Sequence, residues 1–315
     1  GYDQFYWSHD PGDKWPTHDY YDWLHNKGIK RGEQPFPDSK YVQTLPSEEH
    51  SQTTYCIERA MTFIHRCAEH DAPWAFSLNP FDPHHAFDPP REDLERYRDK
   101  IDEIPLPNYV DGELDNKPIW QQIDHGGSYG GKGNFAYNKM DDNDHRWLTA
   151  AYWAMVDVID RQIGRLLDCL EETGQRDNTY IIFTSDHGEM LGDHGIYLKG
   201  PFFYEPAVRV PLLISGPGLR NDGSRSPALV ELVDLAPTIL EWAGLDASPA
   251  MQGRSLQTLL NGNASLDQHR DDIYCEYYNS MPGHKDPPAH ATMVRTSRHK
   301  LVAAHGTGGG ELYDL

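Results

Sequence analysis

Apolar residues at Leu148, Tyr152, Val156, Ile159, Ile163, Leu166 and Leu170 recur at intervals of four and three, the spacing that lines one face of an α-helix. The pattern predicts a helix from about Asp144 to Thr173, stopped by Gly174. The run TYIIFTS (179–185) follows without helical period and reads as a buried strand, as does VPLLIS (210–215), and a further helix is predicted over 228–243. Helices alternating with apolar strands imply an α/β layered sheet. Upstream, HDYYDWLHNKG is a short helical stretch closed by Gly28, and a helix is expected from about Thr54 to His70. PWAFSLN (73–79) reads as a short buried strand, and the prolines of PFDPHHAFDPP prevent it from continuing. From 100 to 143 no period persists, and the Pro, Gly, Asn and Asp content predicts a long excursion without regular structure. After Gly262 come short strand-like runs, DIYCEYY, ATMVRTS and HKLVAAH, with TSRHK between the last two suited to a hairpin. The expected organisation is an α/β domain over 1–265 and a small antiparallel subdomain over 266–315.

With 315 residues, 38% of them hydrophobic, the chain can fill a core. No stretch approaches the roughly 20 apolar residues of a membrane span, and GYDQFYWSHDP has neither the basic start nor the apolar centre of a signal peptide. The 49 acidic against 28 basic side chains give a formal charge of -21, which argues against nucleic acid as a partner and requires local positive charge to hold any anion. Cys56, Cys67, Cys169 and Cys275 form no CxxC pair and no regular framework.

The segment TSDHGEMLGDHGIYLKGPFFYEPAVRVP (184–211) puts Asp186, His187, Glu189, Asp193, His194 and Lys199 at the mouth of a strand. Such groups are costly to bury without partners, and α/β sheets bind ligands beyond the carboxyl ends of strands. Asp186 and His187 offer an oxygen and a nitrogen to one divalent cation, but two ligands do not make a site. Taken alone, the pair reads as an aspartate capping a turn and a histidine bonded to backbone. Lys199 alone reads as a solvated charge and His84, in DPHH, as a turn residue. Together they describe an anion ester site: a lysine holds an anionic oxygen and a histidine protonates a leaving group.

SDHGEMLGDHGIYLKGPFFYEPAVRVPLLISGPG closely resembles the second metal-binding motif of the sulfatases, in the alkaline phosphatase superfamily. GYDQFY resembles the segment after that family's Gly-Lys-Trp-His motif, FSLNPFDPHHAFDPP its Pro-His-x-Pro loop, and VRTSRHKLV with GELYDL its carboxyl-terminal sheet. The resemblance implies an alkaline-phosphatase-like sheet flanked by helices, a small C-terminal antiparallel subdomain, and hydrolysis of sulfuric esters. It implies that Asp186 and His187 bind one divalent cation, calcium first with magnesium or manganese as alternatives. By residue chemistry alone the His187 imidazole suits manganese or zinc better than calcium. It further implies that Lys199 contacts the sulfate and its bridging oxygen and that His84 assists the leaving group, with Ala86 where the loop's second proline would stand. His85 has the weaker claim; His194 and Glu189 divide between touching substrate and supporting their loop. Tyr204, Glu205 and Arg209 are expected to hold the turn together through an arginine–carboxylate pair. A small-molecule or carbohydrate sulfate ester is the implied substrate, in a periplasmic or extracellular setting.

The sulfatase nucleophile is a formylglycine made from Cys or Ser in Cys/Ser-x-Pro-x-Arg, and no such motif occurs here: the four cysteines are followed by IERA, AEHD, LEET and EYYN. The family's first acidic pair and its Gly-Lys-Trp-His residues are also missing. The expectation is a sulfatase-type chain without the amino-terminal part, unable by itself to turn over sulfate esters. The alternatives are a phosphonate or phosphate ester hydrolase of the same superfamily and a non-catalytic anion-binding remnant. GGSYGGKG (126–133) fits G-x-x-x-x-G-K, but Gly133 takes the Ser/Thr position and no strand precedes it, so it reads as a mobile loop near the site entrance. Asn263 in NAS is a glycosylation sequon with no further support, and DDND (141–144) reads as a solvated helix start.

Overall fold

The computed structural model describes residues 3–10, 17–70, 72–131, 133–220, 222–279 and 282–315, so Gly1, Tyr2 and Lys132 of the motifs above lie outside it. In chain order the helices are α1 (Asp19–Asn26), α2 (Gln52–Ala68), α3 (Arg91–Glu95), α4 (Ile119–His125), α5 (Ser128–Gly131), α6 (Asp142–Glu172), α7 (Glu205–Val208), α8 (Leu235–Trp242) and α9 (Gln257–Leu260). The strands are β1 (Gln34–Pro35), β2 (Gln43–Thr44), β3 (Ile181–Thr184), β4 (Leu212–Ser215), β5 (Asp272–Tyr278), β6 (His290–Thr296), β7 (His299–His305) and β8 (Gly310–Asp314). The chain divides into two units, Gly1–Pro107 with Lys139–Arg176, and Asn108–Asn138 with Asp177–Leu315.

In the first unit α6 starts where the side chain of Asp141 accepts the Asp144 N–H at 2.9 Å, with acidic residues in its first turn. Leu148 and Leu170 are buried as the spacing predicts. Midway the buried face is rotated by about one position, with Ala151, Ala154, Met155 and Val158 inside and Val156 exposed. Alanine adds little to an apolar pattern, yet its small size lets the packed partner, α2, approach closely. α2 is capped by Ser51, whose Oγ accepts the Thr54 N–H at 3.1 Å, and so begins slightly before the predicted Thr54. Tyr55 and Cys56 of α2 meet Tyr20, Trp23 and Leu24 of α1 in a local core. Gly28 closes α1 with φ 71°, a conformation that suits glycine. PWAFSLN forms no ladder among the described residues. Trp74 and Phe76 instead pack their rings against Phe63 of α2, at 5.7 and 5.0 Å between centroids, so helix packing rather than strand pairing covers its apolar groups.

In the second unit β3 and β4 pair antiparallel with Ile182 opposite Ile214. Neither is a buried strand: Phe183 and Leu213 are exposed and the rest half-buried, because a two-stranded ladder has too few neighbours to cover it. α8 begins later than the predicted 228, since Glu231 and Asp234 form a capping box that spends 232–234 as a tighter turn. The 100–143 segment is not without structure; it contains α4 and α5 and yields to α6 at Asp142. The four strands β5-β6-β7-β8 run antiparallel in that order, with the β6–β7 turn inside TSRHK. One face of the sheet, through Ala291, Met293, Val302 and Ala304, packs with Trp120 of α4 and Phe203. A second cluster joins Met190, Ile196, Phe202, Tyr204 and Ala207 of the SDHG–EPAV segment with Leu114, fixing the loop that carries the candidate site.

Candidate anion and metal site

Past the end of β3, Ser185 Oγ donates to the His187 carbonyl at 2.7 Å and the His187 N–H donates to Asp186 Oδ1 at 3.0 Å. The His187 Nδ1 lies 2.8 Å from the Gly188 carbonyl. A carbonyl only accepts, so Nδ1 carries the proton of the neutral ring and Nε2 keeps a lone pair. Nε2 stands 3.8 Å from Asp186 Oδ2, and the Asp186 side chain is 86% exposed. One oxygen and one nitrogen at that separation fit two adjacent positions around a single divalent cation.

The next residue must be glycine. The Gly188 N–H donates to Ala207 O at 2.8 Å, the Glu189 N–H to Pro206 O at 3.0 Å, and a Cβ on Gly188 would fall 1.9 Å from the Pro206 oxygen. Glu189 then clasps its own loop, its Oε1 accepting the N–H groups of Leu191 at 3.1 Å and Leu198 at 2.5 Å. Burial pushes the Glu189 carboxyl up to about 7, against the pull of those backbone donors and of Lys199. Leu191, His194 and Leu198 all hold positive φ within this loop, at 46°, 56° and 68°, a cost tolerated where surrounding contacts determine the backbone. His194 is engaged by the loop's neighbours: Nδ1 lies 2.8 Å from Glu113 Oε1 and the ring stacks on Tyr204 at 3.9 Å.

Lys199 Nζ donates to the Tyr129 hydroxyl at 2.6 Å and sits 5.1 Å from the centre of that ring. Burial lowers the ammonium from its ordinary value, while Glu189 and Asp186 pull it back up. Within the second unit Lys199 is thus coupled electrostatically to Asp186, and His187 stands beside Asp186. His84 and His85 belong to the first unit. Their loop is clamped at both ends, Asp82 accepting from the Thr53 hydroxyl of α2 and Asp88 from the Arg31 guanidinium. Burial raises the Asp82 carboxyl against the lowering effect of Thr53 and Arg31. His84 Nδ1 lies 2.6 Å from the His85 carbonyl, and its ring stacks on that of His85 at 4.1 Å. With Nδ1 donating, only the protonated imidazole has an Nε2 proton to give to a leaving group.

Sequence reasoning missed three features. Tyr129 lies in the glycine-rich loop that was read as mobile, and the run of glycines was the only signal. Asp124 and His284 form a buried pair, His284 Nε2 lying 3.1 and 3.0 Å from the two carboxylate oxygens, from segments 160 residues apart. Glu205 pairs with Arg295 at 2.8 Å and with Lys300 at 2.9 Å, so the expected arginine–carboxylate pair uses the C-terminal sheet and Arg209 is not its cation. Among the described residues no three His, Cys, Asp or Glu side chains converge as a cation site. Asp186 and His187 therefore fit part of a shell that needs four or more donors. No described helix is long and apolar enough to cross a membrane.

Residues 1–245 match the family model described as Sulfatase, and residues 192–315 match N-sulphoglucosamine sulphohydrolase, C-terminal. The chain is 34% identical over 279 residues to the multifunctional alkaline phosphatase superfamily protein PehA of Trinickia caryophylli, covering 82% of this chain and 52% of that protein. It is 38% identical over 166 residues to an N-acetylglucosamine-6-O-sulfatase of Bacteroides thetaiotaomicron, covering 52% of this chain and 29% of that protein. A phosphonate monoester hydrolase from Silicibacter pomeroyi superposes with a TM-score of 0.78 at 26% identity, over 95% of this chain and 62% of that one. The fold is that of the alkaline-phosphatase-like enzymes, with the four-stranded antiparallel sheet at its C-terminal end. The chain spans about half the length of the curated relatives it matches over most of its own length.

Proposed function

This chain belongs to the sulfatase family, and from that premise we propose that it carries the sulfate-holding and part of the metal-holding machinery of a sulfuric ester hydrolase. The observation that carries the reading is the electrostatic coupling of the Lys199 ammonium to Asp186, which stands beside His187 just past the end of β3. A half-buried ammonium coupled to an exposed carboxylate that stands beside a partly exposed imidazole suits the oxygens of a tetrahedral anion held with a cation. In this reading Asp186 and His187 hold a divalent cation, calcium before magnesium or manganese, which supplies charge stabilisation at the ester oxygens when bound. Lys199 binds the anionic and bridging oxygens. His84, in its protonated form, donates from Nε2 to the departing alcohol. His85 and His194 are secondary substrate contacts, and the engagement of His194 by Glu113 and Tyr204 makes loop support its first task. A formylglycine nucleophile has no source among these 315 residues, which contain no Cys/Ser-x-Pro-x-Arg sequence. A sulfated sugar is the proposed substrate class, supported by the likeness to an N-acetylglucosamine-6-O-sulfatase. Hydrolysis of phosphonate or phosphate esters is the second reading, favoured by the likeness to a phosphonate monoester hydrolase.

The test is a side-by-side assay of an aryl sulfate, a phosphodiester and a phosphonate monoester with the full-length gene product and with this chain alone. Preference of the full-length product for the sulfate, without turnover by the 315-residue chain, is the expected result. Preference for the phosphonate would select the second reading. Sulfate release by this chain well above buffer would mean that it holds a nucleophile of another kind.

A further inference from the structure

We propose that Tyr129 is a positioning residue for Lys199, and that the glycine-rich loop with the buried Asp124–His284 pair exists to hold it there. This rests on the reading of Lys199 as the anion-binding cation. Lysine is a flexible point charge that loses considerable rotamer freedom when fixed. Here its Nζ meets one phenolic oxygen at 2.6 Å, close enough to fix the ammonium in one place.

The loop is built to bring that oxygen into range. Tyr129 itself has φ 56° and ψ 49°, a left-handed backbone that a non-glycine residue adopts only at a cost. The Gly130 N–H donates to Asp124 Oδ1 at 2.7 Å. Both Asp124 oxygens face His284 Nε2, and the Tyr277 hydroxyl lies 2.7 Å from His284 Nδ1. Asp124 and the His284 side chain are almost wholly buried. A Cβ on Gly130 would fall 1.9 Å from the Gly283 oxygen, and one on Gly283 1.5 Å from the Tyr129 oxygen. Two glycines facing each other thus allow backbone to lie on backbone, and the Asp124–His284 pair secures the contact from beneath. A strained residue locked by this many contacts, whose hydroxyl ends on Lys199, is a support for that ammonium. Replacement of the tyrosine should therefore act on anion binding through Lys199 and not independently of it.

The test uses the 315-residue chain and inorganic sulfate as the probe, titrated by NMR into wild type, Tyr129→Phe, Lys199→Ala and the double variant, with the ¹⁵N signal of the Lys199 ammonium followed alongside. Tyr129→Phe keeps the ring and removes only the acceptor. It is expected to weaken sulfate binding roughly tenfold, the effect of one lost charge-assisted hydrogen bond, and to alter the ammonium signal. The double variant is expected to bind no more weakly than Lys199→Ala alone. Asp124→Asn, which leaves Tyr129 in place but loosens its anchor, should weaken sulfate binding in the same direction. Unchanged affinity in Tyr129→Phe, or additive losses in the double variant, would overturn the proposal while leaving the anion site intact. Undiminished binding by Lys199→Ala, or no sulfate binding by any form, would overturn the reading of the site and this proposal with it.

Discussion

Asp186 Oδ2 and His187 Nε2, the atoms proposed to face a cation, are placed 3.8 Å apart by a backbone that each residue also bonds. Replacing Asp186 by Ala is expected to weaken calcium, magnesium and manganese binding by the chain at least about tenfold in calorimetric titration; unaltered binding would move the cation elsewhere. Gly188→Ala is expected to cost ~2 kcal/mol or more, read from the thermal midpoint, because a methyl group cannot occupy the space against the Pro206 oxygen. Taken alone, Asp186 and His187 read in the sequence as a turn cap and a backbone-bonded histidine, and those local bonds are present; the metal role came only from the resemblance. Lys199 was legible only in company, its spacing from His187 gaining sense from the resemblance. Tyr129 was legible only as part of a run of glycines, because its bond to Lys199 depends on a backbone sign and a through-space contact 70 residues away in sequence, and neither leaves a periodic trace.

α7 is a single turn, yet its first residue ties the site loop to the C-terminal sheet. Burial alone would raise the Glu205 carboxyl, but Lys300 and Arg295 hold it below its ordinary 4.5. A carboxyl lowered in the folded state contributes stability that is in place above 4.5 and is lost as the pH falls through the lowered value. Glu205→Gln should accordingly lower the thermal midpoint at neutral pH and leave a shallower decline on the acid side, while an unchanged slope would show that the pair contributes nothing measurable. Elements with strong periodicity were read well: α6 differs from the predicted helix by about two residues at its start. Its mid-section departs from the spacing of the larger residues because Ala151 and Ala154 bury a face one position away from Val156, which is exposed. PWAFSLN failed for the opposite reason, since an apolar run of that length can be covered by the side of a helix as well as by neighbouring strands.

At the scale of the whole molecule, the C-terminal sheet was legible because alternation and turns are encoded locally, whereas the β3–β4 pair was read as buried from its composition alone. That pair has an immediate consequence for handling the protein. Each strand uses one edge on the other and shows no ladder partner on its second edge among the described residues, and Phe183 and Leu213 are exposed beside them. Open edges with apolar neighbours are templates for strand addition by another molecule. The charge of -21 opposes such encounters at neutral pH, but that repulsion disappears towards the isoelectric point near 5.1. Light scattering is expected to rise steeply as the pH is brought from 7 towards that value, and Leu213→Lys, which puts a charge on the exposed edge, should delay the rise. Colloidal lifetime, set by a short two-stranded ladder and a diffuse cloud of carboxylates, would then limit how far the chain can be concentrated.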